Sequence, residues 1–164
     1  MIDHLLDYTL PAAYSLLPPA LSSNTASAML LAVGLQESGL QYRDQLGGPA
    51  KGFWQFELEG VKGVMKHPRS KVVINDILDK LCYTGNPVEV QAALEHNDTL
   101  AACFARCLLW TSSLNLPTSI GSQKGWNLYL SLWRPGIPRR ETWDNFFREA
   151  WKKVIEHSMH VTLV

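Results

Sequence analysis

The run SSNTASAMLLAVGLQESG, residues 22–39, decides the fold. Ser22, Ser23 and Asn24 are residue types that cap helix N-termini, because a short side-chain oxygen accepts from a backbone N–H that has no partner in the first turn. From about Thr25 to Ser38 the segment is apolar nearly all round, through Ala26, Met29, Leu30, Val33 and Leu35. A helix without a polar face belongs inside the molecule, so a buried core helix is expected here. Gly39 stands where that helix should end, since glycine accepts the left-handed backbone of a C-terminal cap.

On either side the periodicity is also helical. From Gln41 to about Phe56 the pattern fails, and Gly47, Gly48, Pro49 and Gly52 predict a structured loop or short irregular hairpin, the one place where β structure is expected. Beyond it, Val73, Ile77, Leu78 and Leu81 form one stripe, and Asn86-Pro87-Val88-Glu89 reads as a cap followed by a first helical turn. Asp98 or Thr99 is expected to cap a second core helix, with Leu100, Cys103, Phe104, Cys107, Leu108 and Thr111 on one face and Ala101, Ala102 and Ala105 allowing close approach on the other. Leu116-Pro117 breaks the chain, and a helix around Gly125 to Trp133 is closed by Pro135-Gly136. In the last segment Trp143, Phe146, Phe147, Ala150, Trp151, Val154 and Ile155 keep an i, i+3, i+4, i+7 rhythm, with Asp144–Arg148 and Glu149–Lys153 as surface pairs. Near the start, Pro11 suits the first turn of a short helix that Pro18 and Pro19 stop. The expected fold is mainly α, one helical domain over residues 1–164 with a short irregular segment after the core helix.

Composition sets the outer limits. The 164 residues, 46% of them hydrophobic, can bury one sizeable core. Fifteen Lys and Arg balance fifteen Asp and Glu, so no net field gathers a nucleic acid or an anionic membrane. No apolar run approaches the roughly 20 residues that cross a bilayer, so stable membrane insertion is not expected. Asp3 and Asp7 stand where a signal peptide carries Lys or Arg, and Pro11 interrupts the apolar stretch, so ordinary export is not expected either. Three cysteines cannot all pair within the chain, which fits synthesis in a reducing compartment. Cys103 and Cys107, one helical turn apart, with His96 upstream, fall short of the four ligands of a structural zinc site and read as buried thiols. His67, His157 and His160 lack any partner motif and read as surface residues. No metal or cofactor is implied.

The chemistry concentrates at Glu37. A carboxylate closes an apolar helix just before a glycine-rich loop, and both burial and the negative pole of the helix C-terminus disfavour its ionised form. A carboxyl group whose pKa is raised in this way holds a proton near neutral pH, as a general acid must in order to protonate the oxygen of a breaking glycosidic bond. Gly47, Gly48 and Gly52 permit close backbone approach to a ligand, Phe53, Trp54 and Phe56 offer flat apolar faces, and Gln55 an amide that donates and accepts. A polymer of amide-bearing sugars calls for that mixture.

Glu37-Ser38 followed by Gly48-Pro49-Ala50-Lys51-Gly52-Phe53-Trp54-Gln55 resembles the glutamate-serine and Gly-Ala-x-Gly-x-x-Gln signature of the lytic transglycosylases of the lysozyme superfamily, closest to small phage or prophage members. The likeness extends from about Met29 to Phe56. It implies an α+β lysozyme-like domain acting on the MurNAc-GlcNAc β-1,4 bonds of peptidoglycan, with Glu37 as the catalytic acid, Ser38 orienting it, Gln55 near the substrate's acetamido group, and Gly52 and Phe53 in the cleft wall. In that family the glutamate protonates the leaving oxygen and then, as carboxylate, takes the proton of the sugar's C6 hydroxyl, giving a 1,6-anhydro muramic product.

Glycosidases ordinarily use two carboxylates about 5 to 9.5 Å apart. The family needs one, because the substrate's acetamido group takes the nucleophile's part. Asp44, Glu57 and Glu59 are the nearby acids that could supply a second carboxylate, and Asp44, activating a water, would make the protein a hydrolytic lysozyme. Two departures stand out. The family's Leu-Met before the glutamine is Phe53-Trp54 here, and its Ala-Tyr-Asn-Ala-Gly type motif has no clean copy, with Tyr129 or Trp133 in about the right place to line the cleft. The implied setting is a monomeric lysis enzyme made in a host cytoplasm and released to the periplasm or cell wall, or one carried by the virion. A non-catalytic, glycan-binding virion component is the alternative from another class.

Overall fold

In the computed structural model, which describes residues 1–162, the chain is one mainly helical domain. Residues 2–16 form a continuous helix, α1, in which Ile2–His4 and Leu10–Leu16 are α-helical and Leu5–Thr9 is a π turn. Pro11 was expected to open this helix and instead lies well inside it. Proline lacks an N–H and its ring collides with the carbonyl four residues back, so an unbroken α-helix would be strained there. Just upstream, the Leu10 N–H reaches the Leu5 carbonyl, five residues back, and this wider turn lets the helix pass through the proline.

The remaining elements are α2 (Asn24–Ser38), α3 (Leu58–Lys66), α4 (Lys71–Lys80), α5 (Pro87–His96), α6 (Asp98–Thr111), α7 (Ser122–Trp133) and α8 (Arg140–Thr162). The Ser23 hydroxyl accepts from the Ala26 N–H, and Gly39 ends α2 with φ 63°. Between those caps every residue from Ala26 to Gln36 is buried. α2 packs along α8 and against α6, and the Tyr14 hydroxyl of α1 meets that of Ser27 at 2.9 Å. From α8, Trp143, Phe147, Ala150 and Val154 enter the core, and from α6 the whole run Leu100–Cys107 does, so the thiols of Cys103 and Cys107 are interior as expected.

Several local expectations change. Asn97, not Asp98 or Thr99, caps α6, its side chain accepting from the Leu100 N–H, because the Asp98 carboxylate is held by Arg43 at 2.7 and 2.8 Å. Helix α3 has no counterpart in the expected pattern. On α8, Asp144 pairs with Arg140 at 2.7 Å rather than with Arg148, and Lys153 reaches Asp3 of α1 at 3.0 Å. Ile155, read as a core position, is 42% exposed. Among the described residues, β pairing is confined to isolated bridges, Asp44 with Lys51 and Lys51 with Phe56, inside the segment where it was expected. No helix of the described residues is long and apolar enough to cross a membrane.

Candidate functional site

Glu37 is the second-last residue of α2, where the helix leaves the core, and it is half-buried. The turn behind it is tightly built. The Gly39 N–H bonds to the Gly34 and Leu35 carbonyls, and Leu40 folds back on the helix with φ 54°. A methyl at Gly34 would lie 2.4 Å from a Leu40 methyl, so that glycine makes room for the returning chain. The Ser38 hydroxyl turns its hydrogen bonds away from the Glu37 carboxyl group. It bridges the Gly34 and Phe53 carbonyls, at 3.1 and 2.7 Å, and accepts from the Leu40 N–H. It clamps the end of the helix to the following segment.

That segment is a small framework of its own. Lys51 and Phe56 exchange backbone bonds around a turn in which Gly52 (φ 75°) and Gln55 (φ 49°) are both left-handed. Gly52 was expected in the cleft wall. It is buried, and a Cβ there would sit 2.7 Å from the Leu94 carbonyl, so its constraint is the approach of α5. Phe53, Trp54 and Phe56, expected to present apolar faces to a ligand, are buried, Phe53 and Trp54 completely. The Arg43 guanidinium covers the Phe53 ring at 4.1 Å, and the Trp54 indole N–H donates to the Leu30 carbonyl at 2.9 Å. These aromatics fasten the loop to α2. The half-buried Gln55 turns its amide NH2 onto the Gly52 carbonyl at 2.8 Å.

The residue that meets the glutamate comes from α7. Tyr129, 2% exposed, donates its hydroxyl to Glu37 Oε1 at 2.6 Å. Its ring lies between Trp143 (centroids 5.2 Å, 16° between planes) and Trp133 (6.3 Å, 27°), so the hydroxyl has little freedom. Trp133 donates its indole N–H to the Trp54 carbonyl at 2.9 Å. The two aromatics divide the work, one holding the carboxyl group and the other holding the loop.

A basic residue completes the surroundings. Gln36, 3% exposed, donates to the Arg139 carbonyl at 2.9 Å and accepts from the Thr142 hydroxyl at 3.0 Å, while Arg139 Nη2 donates to the Gln36 carbonyl at 3.2 Å. This ties the chain before α8 to the end of α2 and brings the positive charge of Arg139 to Glu37. Sequence reading missed Arg139. The only signal was Gln36, since an amide inside an apolar helix must find partners.

Burial is the largest influence on Glu37 and pushes its pKa up from the ordinary carboxylate range. The Tyr129 hydrogen bond and the Arg139 charge oppose it, the Glu57 charge adds to it, and the net direction is upward. Burial, and then the adjacent Glu37 charge, push the Tyr129 hydroxyl up as well, so it remains a donor. Of the three acids considered as a second carboxylate, Asp44 is bound to Lys51, which also reaches Glu95 at 2.8 Å, and Glu59 is paired with Lys62 at 2.7 Å. Glu57, rather than Asp44, is the one whose charge reaches Glu37. The arrangement can hold a proton on a carboxyl group at the surface and stabilise the carboxylate left when the proton departs. Compared with protein families, curated proteins and solved structures, the chain matches none.

Proposed function

We propose that the protein cleaves the MurNAc-GlcNAc β-1,4 bond of peptidoglycan as a lytic transglycosylase of lysozyme-like α+β character, with Glu37 as its one catalytic residue. The observation that carries this reading is the half-buried Glu37 carboxyl group, its pKa raised by burial and its position set by the Tyr129 hydroxyl at 2.6 Å. A protonated carboxyl group donates to the glycosidic oxygen as the bond breaks. The Tyr129 hydroxyl and the Arg139 charge then stabilise the carboxylate, which accepts the proton of the C6 hydroxyl as that oxygen closes on C1. Proton count and charge are restored, and the product is a 1,6-anhydro sugar.

Gln55 is the polar group offered to the substrate's acetamido function, and Ser38, Gly52, Phe53 and Trp133 act by holding the loop in place. The expected setting is a phage-type lysis enzyme or a virion-borne one, acting as a monomer on glycan strands. A hydrolytic version draws on one observation, the proximity of Glu57, which could activate a water.

Glu37→Gln tests the reading, because it keeps the shape and removes the proton. Clearing of purified peptidoglycan should fall by about 10²–10⁴-fold while the circular dichroism spectrum is unchanged. Clearing at the parent rate by the variant would rule out Glu37 as the acid, and glycan binding without clearing by the parent would make the protein a binding domain. Mass analysis of released muropeptides separates the enzymes, since the anhydro product is one water lighter than the hydrolysed one.

A further inference from the structure

At the other end of α2 from Glu37, thirteen residues or about 20 Å away, lies a cavity of about 540 Å³ between the start of α2 and the end of α6. Its lining includes two arginines, Arg106 of α6 and Arg69 from the α3–α4 connection. Arg106 is 6% exposed, and burial without a neighbouring carboxylate pushes its guanidinium below its ordinary value. Its Nε donates to the Leu21 carbonyl at 2.8 Å, and its two terminal nitrogens have no protein acceptor among the described residues. Arg69 spends only Nη1, on the Trp110 and Ser112 carbonyls at 3.2 and 2.9 Å. Among the described residues no carboxylate lies within ion-pair distance of either guanidinium.

A guanidinium 6% exposed and without a counter-charge gains when an anion arrives to complete it. Ser23 and Thr25 bring the N-terminus of α2 to the same cavity. There the Asn24 and Thr25 N–H groups lack intrahelical partners, the Ala26 N–H being taken by the Ser23 hydroxyl, and the helix presents its positive pole. Two guanidiniums and a helix N-terminus are matched by a dianion better than by a carboxylate, and their fork geometry suits tetrahedral oxygens. The cavity exceeds the volume of an oxyanion alone, and the half-buried Trp110 adds an apolar wall.

We propose that this cavity binds a phosphate monoester, the phosphate held between Arg106, Arg69 and the N-terminus of α2 and the organic group against Trp110. The site is independent of the glycan-cleavage reading. Calorimetric titration of the full chain with phenyl phosphate, inorganic phosphate and phenylacetate tests it. Phenyl phosphate should bind saturably at one site, more tightly than inorganic phosphate and at least tenfold more tightly than phenylacetate. Arg106→Met and Arg69→Met should each weaken it at least tenfold. Arg69 lies at the surface, so its variant carries the test should Arg106→Met fail to fold. Absence of saturable binding, equal binding of phenylacetate, or undiminished binding by Arg69→Met would each overturn the proposal.

Discussion

Tyr129 and Glu37 form a pair whose members are 92 positions apart, and their protonation is linked. As a general acid Glu37 works only while protonated, so clearing should decline as pH rises through its raised pKa. The Tyr129 hydroxyl lowers that value, so Tyr129→Phe should move the alkaline limb of the pH–rate profile to higher pH while reducing the maximum. Stability follows the same sign. A carboxyl group whose folded pKa exceeds its unfolded one gives most stability below the unfolded value, and this is lost as pH rises through the folded value. Glu37→Gln, neutral at every pH, should therefore melt above the parent at neutral pH, with the difference vanishing below about the unfolded value of 4.5. Thermal denaturation of both proteins across pH 3–8 measures this. The glutamate was legible in the sequence because a charge ended an apolar helix. Its partner was not: Ser38 was expected to orient it and Tyr129 or Trp133 only to line the cleft, since periodicity gives the face a residue occupies and not the residue it meets across the fold.

Among the helices, legibility followed the caps. α2 carries caps at Ser23 and Gly39 around a continuous apolar run and lies where expected to within a residue, and α5 begins where Asn86-Pro87 predicted. α3 contains Gly60 and Gly63, which weaken intrinsic helix preference, and it stands through the burial of Val61 and Val64. Val61, Val64 and Met65 do keep an i, i+3, i+4 spacing, a helical trace that the two glycines obscured. Asn97→Ala should cost about 1 kcal/mol through loss of the α6 cap. Gly52→Ala should cost more, about 1–3 kcal/mol for the left-handed backbone alone, with the Leu94 carbonyl 2.7 Å from the added carbon. Urea unfolding midpoints of the two variants give the comparison. The aromatic loop residues show the converse difficulty, because Phe53, Trp54 and Phe56 carry the composition of a binding surface and the burial of a core.

At the scale of the molecule one core joins all the elements, so in dilute solution heat should unfold the chain in a single transition, with calorimetric and van't Hoff enthalpies equal. The continuous greasiness of α2 then has an outcome for the unfolded chain. From Ala26 to Leu35 it bears no charge and no proline, and once its surroundings open it offers the same sticky surface in every direction. Chains released together at high concentration should coagulate through this stretch faster than they refold. Turbidity after heating should therefore grow steeply with protein concentration, and a lysine placed at Ala28 or Ala32 would trade folded stability for a clearer solution.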